Sequence, residues 1–229
     1  MSLLADRLHA VEERIAAACR RAGRARSEVT LVAVTKTVSA AVAQQLVELG
    51  VRDLGESRPQ ELWRKAALVG GEVRWHLIGH LQRNKVEKTL PLVRWIHSVD
   101  SWRLLEALEQ EAARRQQVVT VLLECNVSGE ASKHGFAPTA LPGVALQQTR
   151  LRWVHVRGLM TMAPYHAEPE QCRPTFAALR RLRDELRPQL TAPHAMEHLS
   201  MGMSNDFEVA VEEGATMIRL GTVLFEGVT

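Results

Sequence analysis

Lysine is scarce in this chain: of its 29 basic residues in 229, only five are lysines, Lys36, Lys65, Lys85, Lys88 and Lys133. Positive charge is carried by arginine, so a lysine inside an apolar segment stands out. Cysteine is scarcer still. Cys19, Cys125 and Cys172 are odd in number, widely spaced and free of any CxxC or His-Cys metal pattern, which argues for free thiols. No apolar run approaches the roughly 20 residues that a membrane-spanning helix needs, so a membrane protein is not expected. Residues 1 to 24 mix Asp6, Glu12 and Glu13 with their basic residues and lack a continuous apolar segment. They do not read as a targeting peptide, and a cytoplasmic location is expected. The formal net charge of +3 permits anionic partners. The one dense basic cluster, Arg180, Arg181, Arg183 and Arg187, falls on a predicted helix, where a solvated face explains it better than a nucleic-acid patch. Long linkers and low-complexity segments are also lacking. The length suits one α/β barrel or two small domains and suffices for a full core.

What is present begins with an amphipathic helix, in which Leu4, Leu8, Val11, Ile15 and Ala18 recur at three- and four-residue spacing before Gly23 closes it. The segment LVAVTKT at 31 to 37 follows, an apolar run of strand-forming residues ending on Lys36. At the end of a buried strand an ammonium is poorly solvated, which lowers its pKa towards the range where the neutral nucleophile exists. That is the setting of a Schiff-base lysine. The plain alternative is a strand-end lysine that reaches water, as most lysines do.

Further along, a helix over 40 to 49 is capped by Ser39 and ended by Gly50. Strands are then expected at 52–56, 74–79, 95–100, 120–127, 154–162, 198–202 and 217–222. Helical stretches lie between them near 58–69, 82–90, 101–116, 138–148, 170–188 and 206–213. Counting 31–36, eight strands alternate with helices. This predicts an α/β protein with a parallel sheet, a single (β/α)8 TIM barrel over residues 1–229 with an additional N-terminal helix at 1–24 packed on it. A doubly wound open sheet is the competitor, but it gives no reason for eight near-equal units.

Active sites in such barrels form at the C-terminal ends of the strands. The unusual residues fall there: Lys36, Glu56 and Ser57, His76 to His80, Ser98, Asn126, Met160 to Met162, Ser200 to Ser204, and Arg219 to Thr222. The loops after strands seven and eight commonly bind phosphate in this fold. Here they read SMGMSNDF and RLGTVLF, with hydroxyls at Ser200, Ser204 and Thr222 and close backbone approach allowed by Gly202 and Gly221. Arg219 is an ever-charged side chain inside the apolar strand MIRLG and needs an acceptor. A structural ion pair with a strand carboxylate such as Glu56 would satisfy it, and so would a heteroatom of a ligand.

A Schiff-base lysine on strand one, an arginine on strand eight and a phosphate cradle after strands seven and eight together describe a site for pyridoxal 5'-phosphate (PLP). The chain resembles the YggS/PROSC-type pyridoxal phosphate homeostasis proteins, which share the fold type III barrel of alanine racemase. The motifs that carry the resemblance are LVAVTKT, the GE of 55 and 56, HLIGHLQRNK at 76 to 85, HSVD at 97 to 100, GLMTM at 158 to 162 and HLSMGMSNDFEVAVEEGATMIRLGT at 198 to 222 with the LF after it. They span almost the whole chain from residue 31. The resemblance implies that Lys36 forms the Schiff base with PLP, that Arg219 faces the pyridine nitrogen, that Ser200, Gly221 and Thr222 hold the phosphate, and that Met160 and Met201 line the ring. Ser57 and His80 complete the expected cofactor-binding set, and no metal is expected.

Two positions depart from the family pattern. Ser57 stands where the family has Asn after the GE, which puts one side-chain contact near the cofactor in doubt. Phe225-Glu226-Gly227 replaces the family's Phe-Gly and alters the last turn.

An arginine cannot give up its proton, so a pyridine nitrogen that accepts from it stays unprotonated and the cofactor is a weak electron sink. A racemase of this fold also draws a tyrosine from an additional domain across a dimer interface. The one tyrosine here, Tyr165, lies in the loop after strand six, and neither it nor His166 or His80 is oriented by the sequence as a catalytic base. The resemblance therefore implies a monomeric cofactor carrier that binds, protects and delivers PLP, with PLP-dependent apo-enzymes as recipients and an influence on amino-acid and keto-acid pools. A low-activity amino-acid racemase and an aldolase-like sugar-phosphate enzyme are the alternatives.

Overall fold

The computed structural model describes residues 2–127, 134–164, 167–190 and 192–228. The first helix, α1 (Leu3–Arg21), starts where Ser2 Oγ accepts the Ala5 N–H at 3.3 Å; it buries Leu4, Val11, Ile15 and Ala18 as the spacing predicts, leaves Leu8 half-buried and buries Cys19 as well. Gly23 ends it in the left-handed region at φ +65°, where glycine carries no Cβ penalty.

The alternation expected from the sequence then follows: β1 (Thr30–Val34), α2 (Ala40–Glu48), β2 (Asp53–Glu56), α3 (Pro59–Ala66), β3 (Arg74–Leu77), α4 (Val86–Thr89), β4 (Val93–Val99) and α5 (Trp102–Arg115). The second half continues with β5 (Val119–Glu124), α6 (Leu141–Gln147), β6 (Val154–Met160), α7 (Pro169–Leu186), β7 (His198–Ser200), α8 (Phe207–Glu212), β8 (Met217–Leu220) and the short α9 (Thr222–Phe225). All eight strands pair in parallel in sequence order, and β8 closes on β1 through Thr30↔Met217 and Val32↔Arg219. The fold is the (β/α)8 barrel.

The strands themselves are shorter than predicted at their C-terminal ends. β1 stops at Val34 instead of Lys36, β6 at Met160 instead of Met162, and β8 at Leu220, where Thr222 opens a helix. An apolar run states that residues are buried; it does not state how far the ladder continues, and at the rim the chain leaves the ladder to build loops.

One contiguous core joins the outward face of the barrel to the inner faces of the helices, and α1 packs against α8 and α9. Ion pairs trim that contact, Arg14 to Glu208 at 2.8 Å and Arg21 to Glu212 at 2.6 Å. A small second cluster, Leu122, Met160 and Met217 with Trp95 against it, comes from β4, β5, β6 and β8. The three cysteines are buried, and burial pushes the Cys125 thiol up to about 12, so it stays protonated. On α7 the arginine cluster is partly tied down, Arg180 to Glu213 at 3.0 Å and Arg183 to the Glu197 carbonyl at 3.2 Å. Among the described residues no helix is long and apolar enough to cross a membrane.

Candidate functional site

Lys36 sits two residues beyond β1, in a turn, and its side chain is exposed. The expectation of a poorly solvated ammonium at the end of a buried strand is thus corrected, because the strand ends before the lysine. What fixes Lys36 is its neighbour. Thr35 is buried, donates its N–H to Gly55 O at 2.9 Å, and donates its hydroxyl to Glu56 Oε1 at 2.6 Å. Its carbonyl accepts from the ammonium of Lys65 on α3. Among the described residues Lys65 is the buried lysine: it is 1% exposed and pairs at 2.6 Å with Glu56, which is 0% exposed. The sequence held a signal for it, since Lys65 falls three residues after Leu62 on the inward stripe of α3.

Across the β1–β8 seam lies Arg219, 4% exposed. Its guanidinium donates to Ser200 Oγ at 2.6 Å and to the Thr161 carbonyl at 2.9 Å. Glu56 is occupied by Lys65, so the structural ion pair considered for Arg219 does not form, and among the described residues Arg219 has no ion-pair partner. Burial pulls the guanidinium down to about 10, opposed by the charges of Asp206 and Glu124, and it remains charged at neutral pH.

Ser200, expected at the phosphate, is hydrogen-bonded here within a buried polar chain. Its buried hydroxyl contacts His97 Nδ1 at 2.8 Å; His97 Nε2 lies 2.9 Å from His76 Nδ1, and His76 Nε2 lies 2.9 Å from Asp53 Oδ1. Arg74 closes the far end, its Nε 2.8 Å from Asp53 Oδ1. With both rings neutral every link is satisfied in one direction, from Arg219 through Ser200, His97 and His76 to the Asp53 carboxylate, and the ring protons are assigned from that pattern. Burial lowers His76, partly offset by Asp53, and holds His97 well below the ordinary histidine value, helped by the charge of Arg219. Burial alone would raise the Asp53 carboxyl; the hydrogen bonds from His76 and Arg74 outweigh it and keep the carboxyl below its usual range. Inward-facing histidines in two adjacent strands, RWHL and WIHSV, were the available signal.

The hydroxyl at the loops after β7 and β8 is that of Ser204, which accepts the N–H groups of Gly221 and Val223 at 3.3 Å each. An oxygen thus rests on two backbone donors at the start of α9, beside the exposed Thr222. Gly202 holds the β7 loop at φ +94°, where a Cβ would meet that of Ala210 at 2.6 Å. A Cβ on Gly221 would stand 3.3 Å from Val34 O, so Gly221 leaves the barrel directly beside the β1 exit that leads to Lys36.

Met160 ends β6, fully buried in the small cluster, and Met201 is fully buried in the main core just past β7. Ser57 is half-buried, and its carbonyl would lie 2.2 Å from a Cβ on Gly79, so the loops after β2 and β3 meet backbone to backbone. His80 is exposed, with Nδ1 2.8 Å from Asp100 Oδ2. Lys36, Arg219, Gly221 and Thr222 therefore share the β8–β1 sector, Ser200 underlies it, and His80 stands apart on the β3–β4 side. Lys133, Tyr165 and His166 lie outside the described residues.

The chain that builds this parallel eight-stranded barrel has counterparts among known proteins. The model of the alanine racemase N-terminal domain family matches residues 7–228, and the chain belongs to that family. Within it, the chain is a member of the pyridoxal phosphate homeostasis proteins. It is 44% identical over 221 residues to the protein of that name from Aquifex aeolicus, covering 96% of each chain, and 39% identical over 226 residues to that of Pseudomonas aeruginosa, covering 98% of this chain and 96% of the other. PipY of Synechococcus elongatus, solved with PLP bound, is 36% identical, with a TM-score of 0.84 over 97% of this chain and 99% of that one. Alanine racemase of Clostridium difficile shares the fold, with a TM-score of 0.70 at 13% identity over 86% of this chain and 52% of the racemase.

Proposed function

We propose that this chain binds PLP at the β8–β1 sector and serves in PLP homeostasis, holding the reactive aldehyde covalently and passing it on. The observation that carries this is Arg219, a buried cation whose direct partners are a hydroxyl and a carbonyl. A buried charge without a counter-ion is costly, and an acceptor such as a pyridine nitrogen relieves that cost.

The residues present fit the cofactor. The amides of Gly221 and Val223 already carry an oxygen, that of Ser204, and a phosphate oxygen suits the same donors. The absence of a Cβ on Gly221 lets the backbone approach. In this reading Lys36 supplies the amine for covalent attachment, Gly221, Val223 and Thr222 hold the phosphate, Ser204 gives way to it, and Arg219 holds the ring nitrogen. Ser200 acts beneath the site by fixing Arg219. Met160, Met201 and Ser57 shape the pocket, and His80 borders it. Bound PLP supplies an electrophilic aldehyde and an electron-withdrawing ring. Arg219 keeps a proton off the ring nitrogen, and the polar chain down to Asp53 gives Arg219 one orientation. That arrangement favours storage over carbanion chemistry, so the chain acts as a carrier working as one unit across residues 1–229, a cytoplasmic monomer with apo-enzymes as recipients.

Borohydride reduction of protein loaded with PLP, followed by peptide mapping, tests the reading. A single reduced adduct on Lys36 is expected, with the visible absorption band lost in Lys36→Ala. An adduct on Lys65, Lys85, Lys88 or Lys133 instead would overturn the assignment.

A further inference from the structure

On the β3–β4 side of the rim, three side chains converge outside the sector assigned to PLP. His80 follows β3, Asp100 follows β4, and His134 precedes α6. The Nδ1 atoms of the two histidines lie 2.8 and 3.9 Å from the same oxygen, Asp100 Oδ2. Their rings lie face to face, centroids 4.9 Å apart and planes 20° apart, and the three donor atoms fall within 4.8 Å of one another.

We propose that His80 Nδ1, Asp100 Oδ2 and His134 Nδ1 form a binding site for a first-row divalent cation, with zinc the ion that fits best. Two imidazoles and a carboxylate are borderline donors that suit zinc over magnesium or calcium, and three protein ligands leave one position of a tetrahedral ion open. Bonds of roughly 2.0–2.1 Å in such a site place donor atoms roughly 3.3 Å apart, and the observed 2.8 and 3.9 Å bracket that spacing. Rotation of the two imidazoles closes the difference. Their side chains are 46% and 66% exposed, while Asp100, at 10%, is the fixed anchor.

His80 and Asp100 open onto a cavity of about 450 Å³, so an ion can reach them from solvent; Arg83 and Arg103, which also line it, oppose a cation, and the three ligands must outweigh them. The site also gives a use to the aspartate of HSVD, which the cofactor reading leaves without one.

The test is calorimetric titration of the metal-free full chain with zinc chloride, with cobalt(II) as a second probe read by its visible absorption. One equivalent of tight binding is expected. Each of His80→Asn, Asp100→Asn and His134→Asn should weaken it at least tenfold, while His155→Asn, on a histidine of β6 outside the cluster, leaves it unchanged. His134 is on the surface, so its variant retains the fold, which circular dichroism verifies. No binding by the parent chain, or a loss smaller than tenfold in any of the three variants, overturns the proposal. The titration is run without PLP and repeated on Lys36→Ala, so that its outcome is separate from that of the cofactor reading.

Discussion

The β1–β2 corner of the rim and the β7–β8 corner each bury a cation, and the chain treats the two in opposite ways. At β1–β2, Lys65 is met by Glu56 at 2.6 Å and by the Thr35 carbonyl, so its charge is answered within the protein. At β7–β8, Arg219 receives a serine hydroxyl and a backbone carbonyl, and the nearest answering charge on its hydrogen-bonded chain is Asp53, four links away. A buried cation with its own counter-ion is structural, since removing one partner strands the other. A buried cation given only neutral partners is what the proposed cofactor reading rests on. The exposed Lys36 follows directly on Thr35, whose carbonyl the buried pair holds at the first corner.

The comparison breaks most visibly at Lys65. Lys65→Met should leave the Glu56 carboxylate buried and unpaired, with a loss of about 3–5 kcal/mol, read as a drop in the urea midpoint. A loss under about 1 kcal/mol would remove the distinction between the two corners.

At the other corner the phosphate is the sharper probe. Pyridoxal, which lacks it, forfeits two or three charge-assisted hydrogen bonds at roughly 1.5–3 kcal/mol each. Its equilibrium affinity should be at least about a hundredfold weaker than that of PLP, and equal affinities would remove the cradle at Gly221 and Val223.

Arg219→Glu sets the two corners on the same footing by placing a carboxylate in β8. Retention of PLP should fall, because the new charge repels the phosphate, while solvent deuterium exchange at the α-carbon of added amino acids should rise as the ring nitrogen becomes protonated. Retained cofactor with no gain in exchange would show that Arg219 is not what restrains the chemistry.

The polar chain beneath Arg219 predicts a pH dependence. His76 and His97 are lowered by burial, whereas in the unfolded chain they protonate near about 6.5. Below that pH the unfolded state binds the extra protons, so stability holds above it and is lost as the pH falls. His155, His194 and His198 are lowered too and add to the slope. The urea midpoint should be flat between about pH 8 and 7 and fall towards pH 5, less steeply in His97→Gln. The smallest expected effect belongs to Lys36→Ala, exposed and outside the buried pair, whose stability without cofactor should stay within about 0.5 kcal/mol of the parent.

The barrel was legible because eight apolar runs alternating with amphipathic ones have few other ways to bury both faces of a parallel sheet. Arg219 was legible for a similar reason: a permanent charge among Met217, Ile218 and Leu220 must be inside and must find an acceptor. The solvation of Lys36 was not, because Thr35 and Lys36 can follow Val34 either within the ladder or in a turn, and here the ladder ends at Val34. The partners of Ser200 were not legible either, since the sequence does not state that β7 ends at Ser200, with its hydroxyl among buried side chains, while Ser204 lies four residues on in the loop.

The sequence by itself determined the order of the elements, the inward stripe of each, and the family to which the chain belongs, all properties of local pattern and of motif. Tertiary structure alone decided which polar groups meet. Glu56 pairs with Lys65 instead of Arg219, Ser200 turns to His97 while Ser204 takes the amides of Gly221 and Val223, and His80 faces Asp100. Barrel closure brings β8 against β1 and sets the angle at which each strand presents its last residues, and hydrogen-bond partners are chosen within a few tenths of an ångström, a scale on which spacing along the chain carries no information.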